Sequence, residues 1–291
     1  IRSGECEREM NGAIATWLLV VCTLGATKEH AATMSEARPE RNGILSHTVT
    51  SRCQAGSTRI RVLPPERLDR TRCYRVVYVL PVEPKQECKY GDGLLEVEQL
   101  DLHNRYDTMF VAPTFSSLPW YADHPKDPEL RQETYLLEIV VPLIEEHYPV
   151  QADTAGRLLL GFSKSGWGAF SLLLRHPDIF GKAAAWDAPL MKEKPDQFGM
   201  AGVFATQDNF EQYQITRLLT RNAVSLREGN RLVLAGYGNF RQHGRQAHTL
   251  MEDLRIPHIW RDGPPRNHDW HSGWVEEVVV LLLETRPGIS E

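Results

Sequence analysis

The stretch RLLLGFSKSGWGAFSLLLRHP, residues 157–177, decides the fold of this chain. Its first six residues are largely apolar and small residues follow at once, which predicts a short buried strand ending in a turn. Gly161 and Gly166 bracket Ser163, and beyond them apolar residues recur at helical spacing until Pro177 stops the pattern. The stretch therefore predicts a strand, a tight turn that carries a serine, and a helix.

Outside this stretch the chain alternates between strand and helix patterns. Strands are predicted over residues 44–51, 59–63, 74–80, 109–112, 183–186, 231–237 and 256–261. Helices are predicted over residues 133–148, with a kink at Pro142, and over the apolar segment that begins near Trp274. Such alternation predicts an α/β fold with a mostly parallel central sheet and helices on both faces, and ligands bind such sheets beyond the carboxyl ends of their strands.

A serine on a strained strand-to-helix turn is the arrangement of a nucleophile elbow. The usual pattern is G-x-S-x-G; here Ser163 is the central residue and Ser165 stands where the last glycine is expected. Serine is small enough for strand and helix to approach closely, and the helix start would offer the Lys164 backbone N–H to an oxyanion. Residues 161–166 are also compatible with a glycine-rich turn that has no chemistry.

A serine nucleophile needs a general base, and a histidine stands in the expected chain order. His268 lies in the segment NHDWH, residues 267–271, between the last predicted strand and the last predicted helix. His271 follows three residues later. A metal site built on this pair would need a third ligand, and the sequence offers none at a recognisable spacing.

These residues resemble the esterase branch of the α/β hydrolases that includes S-formylglutathione hydrolases, feruloyl and acetyl esterases and mycolyltransferases. The resemblance runs from about residue 59 to residue 284 and is carried by YRVVYVLP, WYAD, VVPLIEEHYP, residues 157–180 and NHDWHSGW. It implies an α/β-hydrolase fold and an acyl-enzyme mechanism on esters without a cofactor, in which Ser163 is the nucleophile and His268 the base.

One departure from the family pattern concerns the triad acid. Where the family carries it, after the strand RLVLAGY, this chain has Asn239. An amide can orient an imidazole but cannot offset its positive charge. Asp187, which follows the preceding strand, is the alternative acid, and it is equally compatible with the N-cap of a helix beginning at Ala188. Asp269 adjoins His268 but would have to fold back on the ring.

The second departure is the loop after YRVVYVL, where Pro81-Val82 replace the His-Gly common in the family. The resemblance then assigns the second oxyanion donor to the Glu83 backbone N–H. Three aromatic residues stand near the expected site, where they would either line the acyl or alcohol pocket or belong to the core. They are Trp120, Tyr121 and Trp186.

The N-terminal segment has a different composition. Residues 13–26, AIATWLLVVCTLGA, form an apolar run that is short for a membrane span and suits the core of a signal peptide, although an acidic flank precedes it. A buried helix of the fold is the alternative. We predict residues 1–32 as a signal peptide with upstream residues, 33–42 as a linker and 43–287 as the esterase domain. The protein would then be exported, to the periplasm or as a secreted protein, and would otherwise be cytoplasmic.

Composition limits the possible functions. The 291 residues carry 33 Lys and Arg against 38 Asp and Glu, and a net charge of −5 without a basic block argues against a nucleic-acid partner.

Of the five cysteines, Cys53, Cys73 and Cys88 would remain after cleavage and could form one disulfide. The sequence thus predicts a serine carboxylic-ester hydrolase that acts on a small-molecule or carbohydrate-linked ester and has no integral membrane span when mature. An acyltransferase and a non-catalytic binding module on the same fold are the alternatives.

Overall fold

A computed structural model describes residues 32–284 of the chain. Within this range the strands are β1 Thr33–Met34, β2 Arg38–Pro39, β3 Leu45–Thr50, β4 Ser57–Leu63, β5 Val76–Val79, β6 Met109–Pro113, β7 Arg157–Phe162, β8 Lys182–Trp186, β9 Leu232–Tyr237 and β10 His258–Pro265. The predictions for residues 1–31, including almost all of the signal peptide, lie outside the described residues.

Helices of varied length connect these strands. They are α1 Gly93–Gln99, α2 Leu102–Arg105, α3 Gln132–Thr134, α4 Val141–His147, α5 Ser163–Arg175, α6 Ala201–Phe204, α7 Gln207–Tyr213, α8 Ile215–Asn222, α9 Arg241–Asp253 and α10 Trp274–Leu283. A π-helical segment, Tyr135–Val140, precedes α4, and a 3₁₀ turn, Trp270–Ser272, precedes α10. None of the helices between residues 32 and 284 is long and apolar enough to cross a bilayer.

One sheet contains all these strands. Its order is β1, β3, β4, β6, β5, β7, β8, β9, β10, with β2 also paired to β3. The neighbours from β6 to β10 run parallel, whereas every pair that involves β1, β2, β3 or β4 is antiparallel. The predicted α/β-hydrolase fold with a mostly parallel sheet is confirmed. Because β7 lies between β5 and β8, the turn after it emerges near the middle of the carboxyl edge of the sheet.

Helices cover both faces of the sheet. Along β5, Val76 and Tyr78 point into the core covered by α4, α5, α8 and α9, whereas Val77 and Val79 point into the core beneath α1 and α10. All four side chains are buried. Burial on both faces explains why this strand reads as a continuous apolar run rather than as alternating residues.

The segment predicted as a linker, residues 33–42, contributes to the sheet instead. β1 and β2 pair one after the other with the outer edge of β3, with Thr33 opposite Thr50 and Arg38 opposite Ser46. The short strands supply partners for backbone groups that an open edge would leave unpaired. Since this outermost segment is largely solvent-exposed, its polar composition resembles that of a linker and the hydrophobic pattern gives no sign of strands.

The helix predicted over residues 133–148 is present in three parts. α3 passes into the π-helical turns of Tyr135–Val140, and Pro142 lies in the first turn of α4. Proline has no N–H to donate and its ring crowds the carbonyl four residues earlier, so a regular α-helix cannot continue through it. The predicted kink therefore takes the form of a widened turn before the proline.

The three cysteines in the described part of the chain are free thiols. Cys53 is buried, whereas Cys73 and Cys88 are exposed. The disulfide considered from the sequence is not formed among them.

Candidate active site

Ser163 lies at the point where β7 ends and α5 begins. Its φ of +54° is in the left-handed region, which a residue with a side chain adopts only where the surrounding structure imposes it. Phe162, one residue earlier, is still extended. The chain therefore turns within a single residue and leaves the Ser163 side chain, 8% exposed, at the carboxyl edge of the sheet.

Gly161 and Gly166, which bracket Ser163, lie where neighbouring atoms leave no room for a side chain. A Cβ on Gly161 would lie 2.2 Å from the Ser165 carbonyl oxygen, and a Cβ on Gly166 would lie 2.9 Å from the Cβ of Ala188. Neither distance is compatible with a side chain unless the structure shifts. The spacing seen in the sequence therefore reflects the packing of a strand against the helix that follows it directly.

Ser165, which replaces the last glycine of the elbow pattern, is fully buried and completely hydrogen-bonded. Its hydroxyl accepts a hydrogen bond from the Phe162 N–H and donates one to the Phe162 carbonyl oxygen, both at 2.9 Å. A buried hydroxyl without partners would destabilise the turn, but these two bonds instead brace it. The departure from the pattern is thus accommodated locally and leaves the position of Ser163 intact.

His268 is hydrogen-bonded to Asp187, with 2.5 Å between His268 Nδ1 and Asp187 Oδ2. Asp187 directly follows β8, is 3% exposed and has a φ of +42°. The next helix, α6, begins only at Ala201, so Asp187 is not the N-cap that the sequence also allowed. Of the acid positions considered from the sequence, Asp187 is the one whose carboxylate contacts the imidazole.

Asn239 contributes through its backbone rather than its side chain. Its N–H donates to both carboxylate oxygens of Asp187, at 2.9 and 3.0 Å, and the Phe240 N–H donates to Oδ1 at 2.7 Å. Burial acts to raise the pKa of Asp187, but hydrogen bonds from His268 and from the backbone N–H groups of residues 238–240 outweigh it and lower the pKa below its usual value. The loop after β9 therefore holds an ionised carboxylate in place.

Three aromatic rings surround the His268 imidazole. The ring centroid of Phe162, the residue before Ser163, lies 4.7 Å from that of His268; the corresponding distances are 5.5 Å for Tyr90 and 5.7 Å for Phe240. Phe162 thus places the histidine beside the serine turn. Neither Tyr90 nor Phe240 is predicted from the sequence. Phe240 directly follows Asn239, the position where the family carries its acid, so the sequence held a signal for it. Tyr90 lies in a loop without a motif.

The residues assigned to the oxyanion hole lie on two neighbouring segments. Lys164 is the second residue of α5, so its N–H belongs to the first helical turn, where donors have no partner within the helix. Glu83 is 6% exposed and follows the loop after β5. Burial raises the pKa of Glu83 and lowers the pKa of Lys164, and the attraction between the two charges opposes both shifts. The two side chains are therefore electrostatic neighbours.

Trp120, Tyr121 and Trp186 are fully buried, which corrects their assignment to a substrate pocket. The Tyr121 hydroxyl donates to the Pro81 carbonyl oxygen at 2.5 Å, and the Trp186 ring stacks on Phe162 with 5.6 Å between centroids. A ring without exposed surface cannot contact a substrate in this structure. These residues instead belong to the packing beneath the loops that carry the site.

Two other polar residues near His268 in the chain, His271 and Asp269, make no hydrogen bond to its ring within residues 32–284. His271 Nδ1 lies 2.5 Å from Glu96 Oε2 on α1, and the buried Asp269 Oδ1 has no hydrogen-bond partner among residues 32–284. Within that same range no three His, Cys, Asp or Glu side chains are grouped so that they could hold a metal ion.

A surface depression of about 320 Å³ includes Phe240, one of the rings around His268, in its lining. Phe240, Phe198 and His243 line it together with Lys192. Phe198 is 48% exposed, and its ring packs edge-on against that of Phe240 with 5.9 Å between centroids. The depression thus combines the exposed ring of Phe198 with a mostly charged lining that also includes Glu193, Lys194 and Asp196.

Comparison of the sequence with protein families gives one match. The model of the family described as "Putative esterase" matches residues 118–270, which is more than half of the chain. No curated protein matches the sequence significantly.

Solved structures of similar fold are numerous. A ferulic acid esterase is 17% identical, with 82% of this chain and 96% of that chain covered and a TM-score of 0.66. The fluorophosphonate-binding serine hydrolase F of Staphylococcus aureus is 14% identical, with coverages of 83% and 98% and a TM-score of 0.66. An S-formylglutathione hydrolase from Agrobacterium tumefaciens is 14% identical, with coverages of 86% and 98% and a TM-score of 0.64. At these identities the similarity establishes a shared fold.

Proposed function

The chain belongs to the putative esterase family and is a carboxylic-ester hydrolase, and from this premise we propose that it acts through an acyl-enzyme formed on Ser163. The observation that carries the proposal is the 2.5 Å contact between His268 Nδ1 and the buried Asp187 carboxylate. A carboxylate fixed on Nδ1 selects the tautomer whose Nε2 can accept a proton from a nucleophile. The left-handed backbone of Ser163 supports its assignment as that nucleophile.

The reaction would proceed in two halves. The Ser163 oxygen attacks the ester carbonyl carbon while His268 Nε2 takes the hydroxyl proton, and His268 then gives that proton to the departing alcohol. The backbone N–H groups of Lys164 and Glu83 are proposed to stabilise the negative charge that develops on the carbonyl oxygen. Water repeats the sequence on the acyl-enzyme, which releases the carboxylic acid and restores the serine.

Family membership favours this activity over the non-catalytic binding module. Small-molecule or carbohydrate-linked esters are the proposed substrates. The depression beside Phe240 and the half-exposed Phe198 is the surface proposed to hold the acyl or alcohol group, because Trp120, Tyr121 and Trp186 are buried.

The experiment compares the hydrolysis of p-nitrophenyl acetate by the wild type and by Ser163→Ala. Loss of the nucleophile is expected to lower kcat/KM about 10⁴-fold or more. Ser225→Ala is the matched control, because Ser225 is exposed and, among residues 32–284, its hydroxyl bonds only to the Asn222 carbonyl oxygen; it should leave the rate unchanged. Equal rates for the wild type and Ser163→Ala would refute the assignment.

A further inference from the structure

A second concave site lies beside the Pro81–Glu83 loop. This cavity of about 350 Å³ has neither Ser163 nor His268 among its lining residues. One part of its wall is apolar and includes Val82, Leu94, Pro113 and Trp270. Its size and mixed lining are typical of a site for a small molecule, and the proposed ester chemistry uses only the Glu83 backbone N–H among its lining groups.

Glu83 brings an unsatisfied polar group to this cavity. The side chain is 6% exposed, and its Oε1 is buried without a hydrogen-bond partner among the described residues. Its other oxygen, Oε2, accepts only a long hydrogen bond of 3.4 Å from the Tyr90 N–H. Because buried carboxyl oxygens in folded proteins are normally paired, a ligand that brings an N–H or O–H donor to Oε1 would gain from this contact.

Three cationic side chains also line the cavity, together with the acidic Glu40, Glu87 and Asp92. Arg61 is already neutralised by Glu40 at 3.0 Å and by Asp92 at 2.6 Å. Arg59 and Lys85, in contrast, are exposed and form no ion pair within residues 32–284. They are therefore available to an anionic group of a ligand, and a carboxylate suits the planar guanidinium of Arg59.

We propose that this cavity binds a small carboxylate that also carries a hydrogen-bond donor and an apolar group, the chemistry of an N-acylated amino acid. The carboxylate pairs with Arg59 and Lys85, and the amide N–H donates to Glu83 Oε1. The apolar side chain packs against the half-buried Pro81 and Ala112. The site borders the loop whose Glu83 backbone N–H is proposed for the oxyanion hole, but the binding proposed here uses the Glu83 side chain and does not depend on the proposed mechanism.

The test is calorimetric titration of N-acetyl-L-leucine into Ser163→Ala, so that binding is measured whether or not Ser163 is the nucleophile. Saturable binding is expected. Arg59→Gln and Glu83→Leu should each weaken it about tenfold or more, since each removes a hydrogen bond to a charged group. Arg38→Gln, which changes an exposed arginine on β2 outside the cavity, is the matched control and should bind like the parent protein.

Cys88 provides an independent readout, because it lines the cavity whereas the exposed Cys73 does not. Saturating N-acetyl-L-leucine should slow alkylation of Cys88 by N-ethylmaleimide and leave Cys73 unaffected, as followed by mass spectrometry of the peptides. Absence of binding, binding that Arg59→Gln leaves intact, or unchanged Cys88 labelling would overturn the proposal. Arg59 is exposed, so its variant tests the site even if Glu83→Leu does not fold.

Discussion

Asp187 and Asn239 have different roles at the level of single hydrogen bonds. The Asp187 carboxylate accepts from the His268 ring and from backbone N–H groups of the loop after β9, one of them belonging to Asn239. Asn239 needs no particular side chain for that contact, because the donor is its backbone. The position where the family carries its acid thus supports, through its backbone, the carboxylate of the proposed acid Asp187, which lies one strand earlier.

Substitution of these two residues should therefore have unequal effects. Asp187→Asn is expected to lower kcat on p-nitrophenyl acetate by about 10⁴-fold, the loss seen when the acid of a serine triad becomes an amide. Asn239→Ala keeps the N–H and should change kcat by less than about threefold. A larger loss in Asn239→Ala than in Asp187→Asn would transfer the orienting role to Asn239.

The lowered pKa of Asp187 also makes stability depend on pH. A carboxyl whose folded pKa is depressed stabilises the protein fully above its unfolded pKa of about 3.9, and this stabilisation is lost as the pH falls through the folded value. The difference in the free energy of unfolding between the wild type and Asp187→Asn should therefore be constant near neutral pH and shrink below about pH 4. Urea unfolding across this range measures it, and a difference that does not vary with pH would contradict the pairing.

Chain order and local pattern were enough to predict the positions of Ser163 and His268, since the elbow and the final loop occur at fixed places in an alternating α/β chain. The choice between Asp187 and Asn239 could not be made from the sequence. Both follow strands that end at the same sheet edge, and only the packed backbone shows which side chain faces the imidazole. The sequence also left open whether Trp186 lines the pocket or belongs to the core, because the hydrophobic pattern does not show that its ring is covered on every side.

At the scale of elements, the serine turn depends on how closely α5 approaches β8 and the loop after it. Gly166→Ala would place a Cβ 2.9 Å from Ala188, the neighbour of Asp187. We expect a loss of about 1–3 kcal/mol in the free energy of unfolding and a lower kcat, because the Asp187 segment must shift. Urea unfolding and p-nitrophenyl acetate turnover measure the two effects.

Gly202→Ala is the matched control for that variant. A Cβ at Gly202, in α6, would have no atom within 4 Å. Replacing a helical glycine should be neutral or should stabilise the protein by up to about 1 kcal/mol. If Gly166→Ala were as stable and as active as Gly202→Ala, the close contact would not matter for the site.

The far end of α5 is held by a buried ion pair. Glu133, 6% exposed, accepts hydrogen bonds from Arg175 at 2.7 and 2.9 Å and from the Tyr213 hydroxyl at 3.1 Å, and it lies 2.6 Å from His176 Nε2. Glu133→Gln should cost about 1–3 kcal/mol in unfolding free energy, because the partly buried Arg175 would lose its counter-charge. Glu146→Gln, an exposed site on α4, should change it by less than about 0.5 kcal/mol. Equal urea midpoints for the two variants would contradict a structural role for the pair.

At the scale of the whole molecule, the outer edge of the sheet is closed by the short strands β1 and β2. A chain that lacks residues 1–39 would expose the β3 edge and is expected to self-associate, because an unpaired edge is a template for strand pairing. A chain that lacks only residues 1–31 keeps both strands and should remain dispersed. Light scattering at matched concentrations compares them, and equal scattering would contradict the protective role of β1 and β2.

The sequence predicted the centre of the sheet better than its margins. β7 agrees with the predicted residues 157–162, because a strand buried on both faces has an unbroken apolar pattern. β10 instead extends to Pro265, beyond the predicted 261, where pairing with β9 resumes after an irregularity between Arg261 and Pro265. Pairing of that kind is decided by the neighbouring strand and leaves no hydrophobic signal in the segment itself.

The most direct test of the account is covalent labelling with a fluorophosphonate, followed by mass spectrometry of the peptides. We expect one adduct, on Ser163, and a labelling rate that falls by orders of magnitude in His268→Ala but not in His271→Ala, because the His271 imidazole contacts Glu96 instead. An adduct on a different residue, or labelling of His268→Ala at the wild-type rate, would contradict the claim that His268 activates Ser163.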